Sequence, residues 1–208
     1  MARPRTHDEA LRLKLLDRAG ELIAADGPKA LSLRKLAADA GTSTTAVYSL
    51  FGSKPDLVNA LYTEGFRRFG ARMAGTELTG DPVEDLVALG SAYRASALAD
   101  PNLYGIMFTR SVPGFEPNED AEELARKTLE PLEAIIRRAI ADGVFLDVPP
   151  ETVAVGCWAF VHGLVSLELN GNLPEEFDVT GSYETALRAN ASGWLRPQSP
   201  QMSRNDPS

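Results

Sequence analysis

Cysteine and histidine are scarce in this chain of 208 residues: Cys157 stands alone, and His7 and His162 are the two histidines. A single cysteine cannot close an internal disulfide, and in its apolar run it reads as a small buried side chain. Two distant histidines without a cysteine or carboxylate at ligand spacing make no recognisable metal site. The usual parts of catalysis are missing too. There is no glycine-rich loop to cradle phosphate, no nucleophile elbow, and no serine or cysteine ordered with a histidine and a carboxylate. The acidic pairs Glu122-Glu123 and Glu175-Glu176 read as solvated surface. No catalytic residue, cofactor or metal is expected. Uninterrupted apolar runs of the roughly 18 residues a membrane span needs are absent, and Met1–His7 leads into an amphipathic segment rather than an apolar signal core. A cytoplasmic chain without a membrane partner follows as the expectation. Strand alternation and fixed-period repeats are missing as well, with Val144–Val148 alone able to be briefly extended.

What is present is helical periodicity and an uneven charge. Hydrophobic residues make up 44% of the chain, enough for one good core or a small domain joined to a larger one. The net charge is −8, yet residues 1–54 carry nine Lys/Arg against six Asp/Glu, while residues 55–208 carry twelve against twenty-three. A mildly basic head and an acidic body suit a protein that meets phosphates at one end only. Arg3 and Arg5 make a short basic arm, read as disordered.

Leu11, Leu15, Ala19 and Leu22 form the apolar stripe of a first helix that stops at Asp26-Gly27-Pro28. Ser53-Lys54-Pro55-Asp56 is a capping box with proline in the first turn, predicting a helix to about Ala74. Asp81-Pro82 opens another to about Ala99, a shorter one covers 102–109, and Pro113–Pro117 is a loop. Asn118 caps a predicted single helix to about Ala141, Pro149-Pro150 begins one to about Asn170, and the last spans roughly 181–195. The expected fold is all-α: a three-helix head over 8–54, a six-helix body over 55–196 whose first helix links to the head, and a mobile tail at 197–208.

The segment Ser32–Lys54 carries the most specific signal. It reads as two short helices around a tight turn, with Ala37 small enough for a close crossing, Gly41 able to take positive φ, and Val47 returning to the same core. Ser43 can cap the second helix, which leaves Thr44, Thr45, Tyr48 and Ser49 on its outward face. The run Ala40-Gly41-Thr42-Ser43 followed by Val47-Tyr48, Phe51-Gly52-Ser53-Lys54 and Leu57 resembles the signature of TetR-family transcriptional regulators. That resemblance covers about residues 8 to 68. It implies a helix-turn-helix that binds a double-stranded DNA operator through Ser32 and Arg34 on the first helix, Thr44, Thr45, Tyr48 and Ser49 on the second, and Lys54 beyond it. The family's common Lys-Gly pair is Thr44-Thr45 here, which points to a different operator.

Residues 153–169 are apolar on nearly all faces, so the helix they form must be buried on more than one side. Its Trp158-x3-His162-Gly163 pattern resembles that in the C-terminal domains of one TetR subgroup, the Trp-His-Gly subgroup. The resemblance implies homodimerisation through this helix and the next, where Tyr183, Leu187 and Trp194 share one side by spacing. It also implies a small-molecule effector in the body, for which Tyr104, Met107, Phe108, Phe115, Trp158 and His162 are the candidate contacts. The reading is thus a ligand-responsive regulator, most simply a repressor. The alternative is a helical small-molecule-binding or protein-interaction module without DNA binding.

Overall fold

The computed structural model describes residues 5–109 and 111–197. Of the basic arm read as disordered, Arg3 lies outside the described residues, whereas Arg5 is the first residue of a helix; the tail from residue 198 also lies outside them. Ten helices account for the described chain: α1 (Arg5–Asp26), α2 (Leu33–Ala40), α3 (Thr44–Phe51), α4 (Lys54–Ala74), α5 (Pro82–Ala99), α6 (Pro101–Phe108), α7 (Glu119–Lys127), α8 (Glu130–Ala141), α9 (Pro150–Leu169) and α10 (Val179–Ser192).

Five helices are opened by short polar caps. Ser32 and Ser43 accept hydrogen bonds from the Lys35 and Ala46 amides at 3.1 Å, opening α2 and α3. Ser53 and Asp56 form the reciprocal capping box of α4, and Asp81 accepts from the Val83 and Glu84 amides to open α5. Between α2 and α3, Gly41 takes φ 68°. A side chain there would strain the left-handed turn that folds the two helices together.

Two expectations need correction. The segment 118–141 is two helices, not one, because Pro131 lacks an N–H and its ring clashes with the carbonyl four residues back, at Lys127. The body therefore has seven helices from α4 to α10. Tyr183 and Leu187 do not face outward: both are buried inside the subunit, where the Tyr183 hydroxyl donates to the Gly90 carbonyl at 3.2 Å. A Cβ on Gly90 would stand 2.8 Å from Leu187, so α10 seats against α5 only because that position is glycine. The briefly extended stretch at 144–148 contributes one antiparallel bridge, Phe145 to Leu195.

The apolar side chains gather in two cores. Leu15, Leu16, Leu36, Val47 and Phe51 fill the head, and they are joined by Leu57 and Leu61 of α4 and by Leu103 and Ile106 of α6. The body core includes Phe69 and Met73 of α4, Tyr93 of α5, Tyr104 of α6 and Val153 and Val165 of α9. Two helices, α4 and α6, therefore supply side chains to both cores.

A buried carboxylate pins this junction. Glu64 of α4 is 1% exposed and accepts hydrogen bonds from Arg67 and Arg68 at 2.7–2.8 Å. Arg68 continues to Asp17 of α1 at 2.9 Å and to Asp100 before α6 at 2.8 Å, while Arg72 reaches Asp100 at 2.7 Å. Burial opposes ionisation of Glu64, but the two guanidinium hydrogen bonds outweigh it and hold the carboxyl below its ordinary range.

By length and composition α9 is apolar enough to cross a membrane. In this fold it lies against α5, α8 and α10 and leaves one stripe uncovered: Val155, Ala159 and Leu167 are exposed, and Gly163 is half-exposed. A Cβ built on Gly163 meets nothing within 4 Å. On α10 the small residues Thr185, Ala189 and Ser192 are exposed, as are the charged Glu184 and Arg188.

Candidate nucleic-acid interface and effector cavity

On α3 the sequence pattern sorts the side chains as the helix-turn-helix reading requires. Val47 and Phe51 point into the head core, whereas Thr45, Tyr48 and Ser49 are exposed and Thr44 is half-buried. Tyr48 is 54% exposed, a large ring in water whose exposure nothing among the described residues explains. Ser32 and Arg34 are exposed in the first turn of α2. Its N-terminal amides and those of α3 each present a partial positive charge suited to phosphate. Lys54 has a task beyond charge: its ammonium donates to the Pro28 carbonyl at 2.8 Å, tying the start of α4 to the turn before α2. Its remaining donors stay available to an anion.

The body holds two neighbouring chambers. The inner one, of about 390 Å³, is lined mainly by aromatic and aliphatic side chains from all of α4 to α10, with Arg126, Thr128 and Asn190 among its polar members. The outer one, of about 1050 Å³, opens beneath the loop 111–117. Tyr62, Met107, Phe108 and Trp158 line both and form the wall between them. Of the six candidate ligand contacts, Met107, Phe108 and Trp158 thus border both chambers, while Phe115 and His162 border the outer one only. Tyr104 borders neither, because it is buried behind His162.

Sequence reasoning missed Tyr62, Phe69 and Asn190 as lining residues. A signal existed for the first two, since Tyr62, Phe66 and Phe69 make one aromatic stripe at helical spacing. Asn190, one of several polar residues on α10, gave none. Cys157 lines the inner chamber, and burial pushes its thiol up to about 11, so at neutral pH it is a protonated, apolar wall.

Three polar groups from three helices meet between the chambers, with Tyr93 bordering the inner one and His162 the outer one. The Tyr93 and Tyr104 hydroxyls lie 3.0 Å apart, and His162 Nδ1 is 3.1 Å from the first and 2.8 Å from the second. Burial lowers the basicity of His162 and keeps the ring neutral near pH 7. Among the described residues no group of three or more His, Cys, Asp and Glu side chains is placed to hold a metal ion.

The family model for bacterial regulatory proteins of the tetR family matches residues 15–61, and that for the tetracyclin repressor-like C-terminal domain matches residues 86–190. The HTH-type transcriptional regulator Rv1816 of Mycobacterium tuberculosis (strain ATCC 25618 / H37Rv) is 23% identical over 192 residues, spanning 78% of this chain and 82% of that protein. Among solved structures, a protein of unknown function from Rhodococcus sp. RHA1 is 27% identical with a TM-score of 0.76, covering 93% of this chain and all of its own. The TetR family regulator PfmR from Thermus thermophilus has a TM-score of 0.68 at 22% identity, covering 89% and 99% of the two chains, and shares the fold. With a capped helix-turn-helix at one end, an all-helical chambered body at the other, and both ends matched by the family's own models, this chain belongs to the TetR family of DNA-binding transcriptional regulators.

Proposed function

We propose that this regulator is a cytoplasmic repressor that binds a palindromic operator as a homodimer and is released by a small, mainly apolar effector held in the chambers of its body. The observation that carries the reading is the placement of α6. This eight-residue helix puts Leu103 and Ile106 into the head core and Met107 and Phe108 into the wall of the chambers. An occupant that moves the wall must therefore disturb the packing of the head. A ligand switches the protein only by its differential affinity for two arrangements, and about 1–3 kcal/mol of coupling gives a change of roughly 5- to 150-fold.

The uncovered stripe on α9 and the small outward residues of α10 support pairing of two copies about a two-fold axis. Two reading heads then meet half-sites about one helical turn, ~34–36 Å, apart or at a multiple of it. The Trp158, His162 and Gly163 pattern supports placing the body in the Trp-His-Gly subgroup. The functional division proposed is a reading head over 8–54 and a ligand-binding and dimerising body over 55–196. The two cores fit it, with α4 and α6 as the shared elements.

On DNA, Ser32, Arg34, Tyr48 and Lys54 are assigned to phosphate and sugar, and Thr44, Thr45 and Ser49 to base edges or thymine methyl groups. Lys54→Ala would mix a lost phosphate contact with a loosened turn, so the exposed Arg34 is the cleaner probe. Arg34→Ala is expected to weaken binding evenly across sequences and to reduce the salt slope by about one. Thr45→Ala is expected to relax preference at one position in each half-site, with the salt slope unchanged. Fluorescence anisotropy on an operator and its single-base variants, at several salt concentrations, separates the two. Identical losses on every sequence and equal slopes for both variants would refute the assignment.

A further inference from the structure

The protons of the Tyr93, Tyr104 and His162 cluster can be placed by counting. If Nδ1 carried the proton and donated to Tyr104, the Tyr104 hydroxyl would pass to Tyr93, and the Tyr93 proton would find no protein acceptor among the described residues, only the mainly apolar inner chamber that Tyr93 borders. If Nδ1 accepts, Tyr104 donates to it across 2.8 Å and Tyr93 donates to Tyr104 across 3.0 Å. Every hydroxyl proton is then used. The imidazole proton must sit on Nε2. No hydrogen bond from Nε2 to the protein occurs among the described residues, yet no buried side-chain nitrogen or oxygen there lacks a partner. Nε2–H is consequently accessible, and the chamber that His162 borders is the outer one.

We propose that His162 is a fixed hydrogen-bond donor selecting effectors that combine an apolar body, lodged in the inner chamber, with one uncharged oxygen acceptor such as a ketone, ester or amide carbonyl in the outer chamber. The inference rests on the reading of the chambers as an effector site and adds the chemistry of the ligand's polar end. The inner chamber has a mainly apolar wall with Arg126, Thr128 and Asn190 as polar exceptions, so a long hydrocarbon or ring system fits there. Glu116 and Glu122 border the outer chamber and disfavour an anionic head group there, and Arg126, which borders the inner chamber, is paired with Glu123. Because Tyr93 and Tyr104 hold the ring from behind, they are positioning residues: they fix which nitrogen donates, and neither borders the outer chamber.

Undecane, methyl nonyl ketone and undecanoate share a chain length and differ in the polar end. Direct binding to the full chain, by calorimetry supported by thermal shift, is expected to favour the ketone over the alkane by roughly five- to tenfold, the effect of one net hydrogen bond. Undecanoate is expected to bind more weakly than the ketone. In His162→Leu the ketone's advantage should fall to about one while undecane affinity is retained, which shows the inner chamber to be intact. Tyr104→Phe, which frees the tautomer, should lose part of the same advantage. A ketone preference that survives in His162→Leu, tightest binding by undecanoate, or equal affinity for all three in the wild type would overturn the donor role while leaving the chambers a binding site. If none of the three binds, the reading of the chambers as an effector site fails along with it.

Discussion

Gly163→Glu is expected to turn the regulator into a monomer and to lower its operator affinity by at least about a hundredfold. Gly163 lies on the uncovered stripe of α9 with Val155, Ala159 and Leu167, and a Cβ there touches nothing in its own subunit. The fold of the single chain therefore accepts the glutamate. Against a second copy, the same carboxylate would be buried without a partner at a close helix approach, at a cost of several kcal/mol. A lone recognition helix keeps half of the base contacts, and specific binding exceeds nonspecific binding by about 10³ or more only when the site is fully read. Sedimentation velocity and anisotropy on an operator check the two halves of the claim. A variant that stays dimeric with full affinity would place the interface elsewhere.

The second large effect is on stability. Glu64→Ala is expected to cost about 3 kcal/mol, the lower end for a broken buried ion pair, because Arg68 keeps Asp17 and Asp100 as partners. Urea unfolding measures the loss as a shift in midpoint at unchanged slope. Its pH dependence identifies the cause. The carboxyl of Glu64 is depressed below its ordinary 4.5 in the folded protein, so its stabilisation is complete above that value. It fades as pH falls through the lower folded value. Wild type and variant should accordingly differ most near neutrality and converge only once the pH lies below the depressed folded value. A gap that persists unchanged into acid would mean that lost packing, not the ion pair, had been measured.

Helix order and caps were legible because they rest on local chemistry: Ser43, the Ser53–Asp56 box, Gly41 and Asn118 all act within a few residues. The break at Thr128-Leu129 has a local signal in Pro131, which a continuous helix does not accommodate, but the acidic start and basic end of the whole segment imitate a single helix. The inward turn of Tyr183 and Leu187 was not legible. Periodicity tells which residues share a side, but only the notch at Gly90, on another helix, decides which way that side faces. The candidate site divides in the same manner. The reading face follows from α3 alone, whereas the chambers depend on how seven helices converge, and Tyr104 drops out of the wall because its hydroxyl is held by groups 11 and 58 residues away.

The central claim is that occupancy of the body governs the hold of the head on DNA, through an α6 that belongs to both. Operator affinity with and without a compound that thermally stabilises the body tests it most directly, on DNA from upstream of the chain's own gene. The account predicts salt-dependent binding that the compound weakens by roughly 5- to 150-fold. Full operator affinity at saturating compound would contradict it.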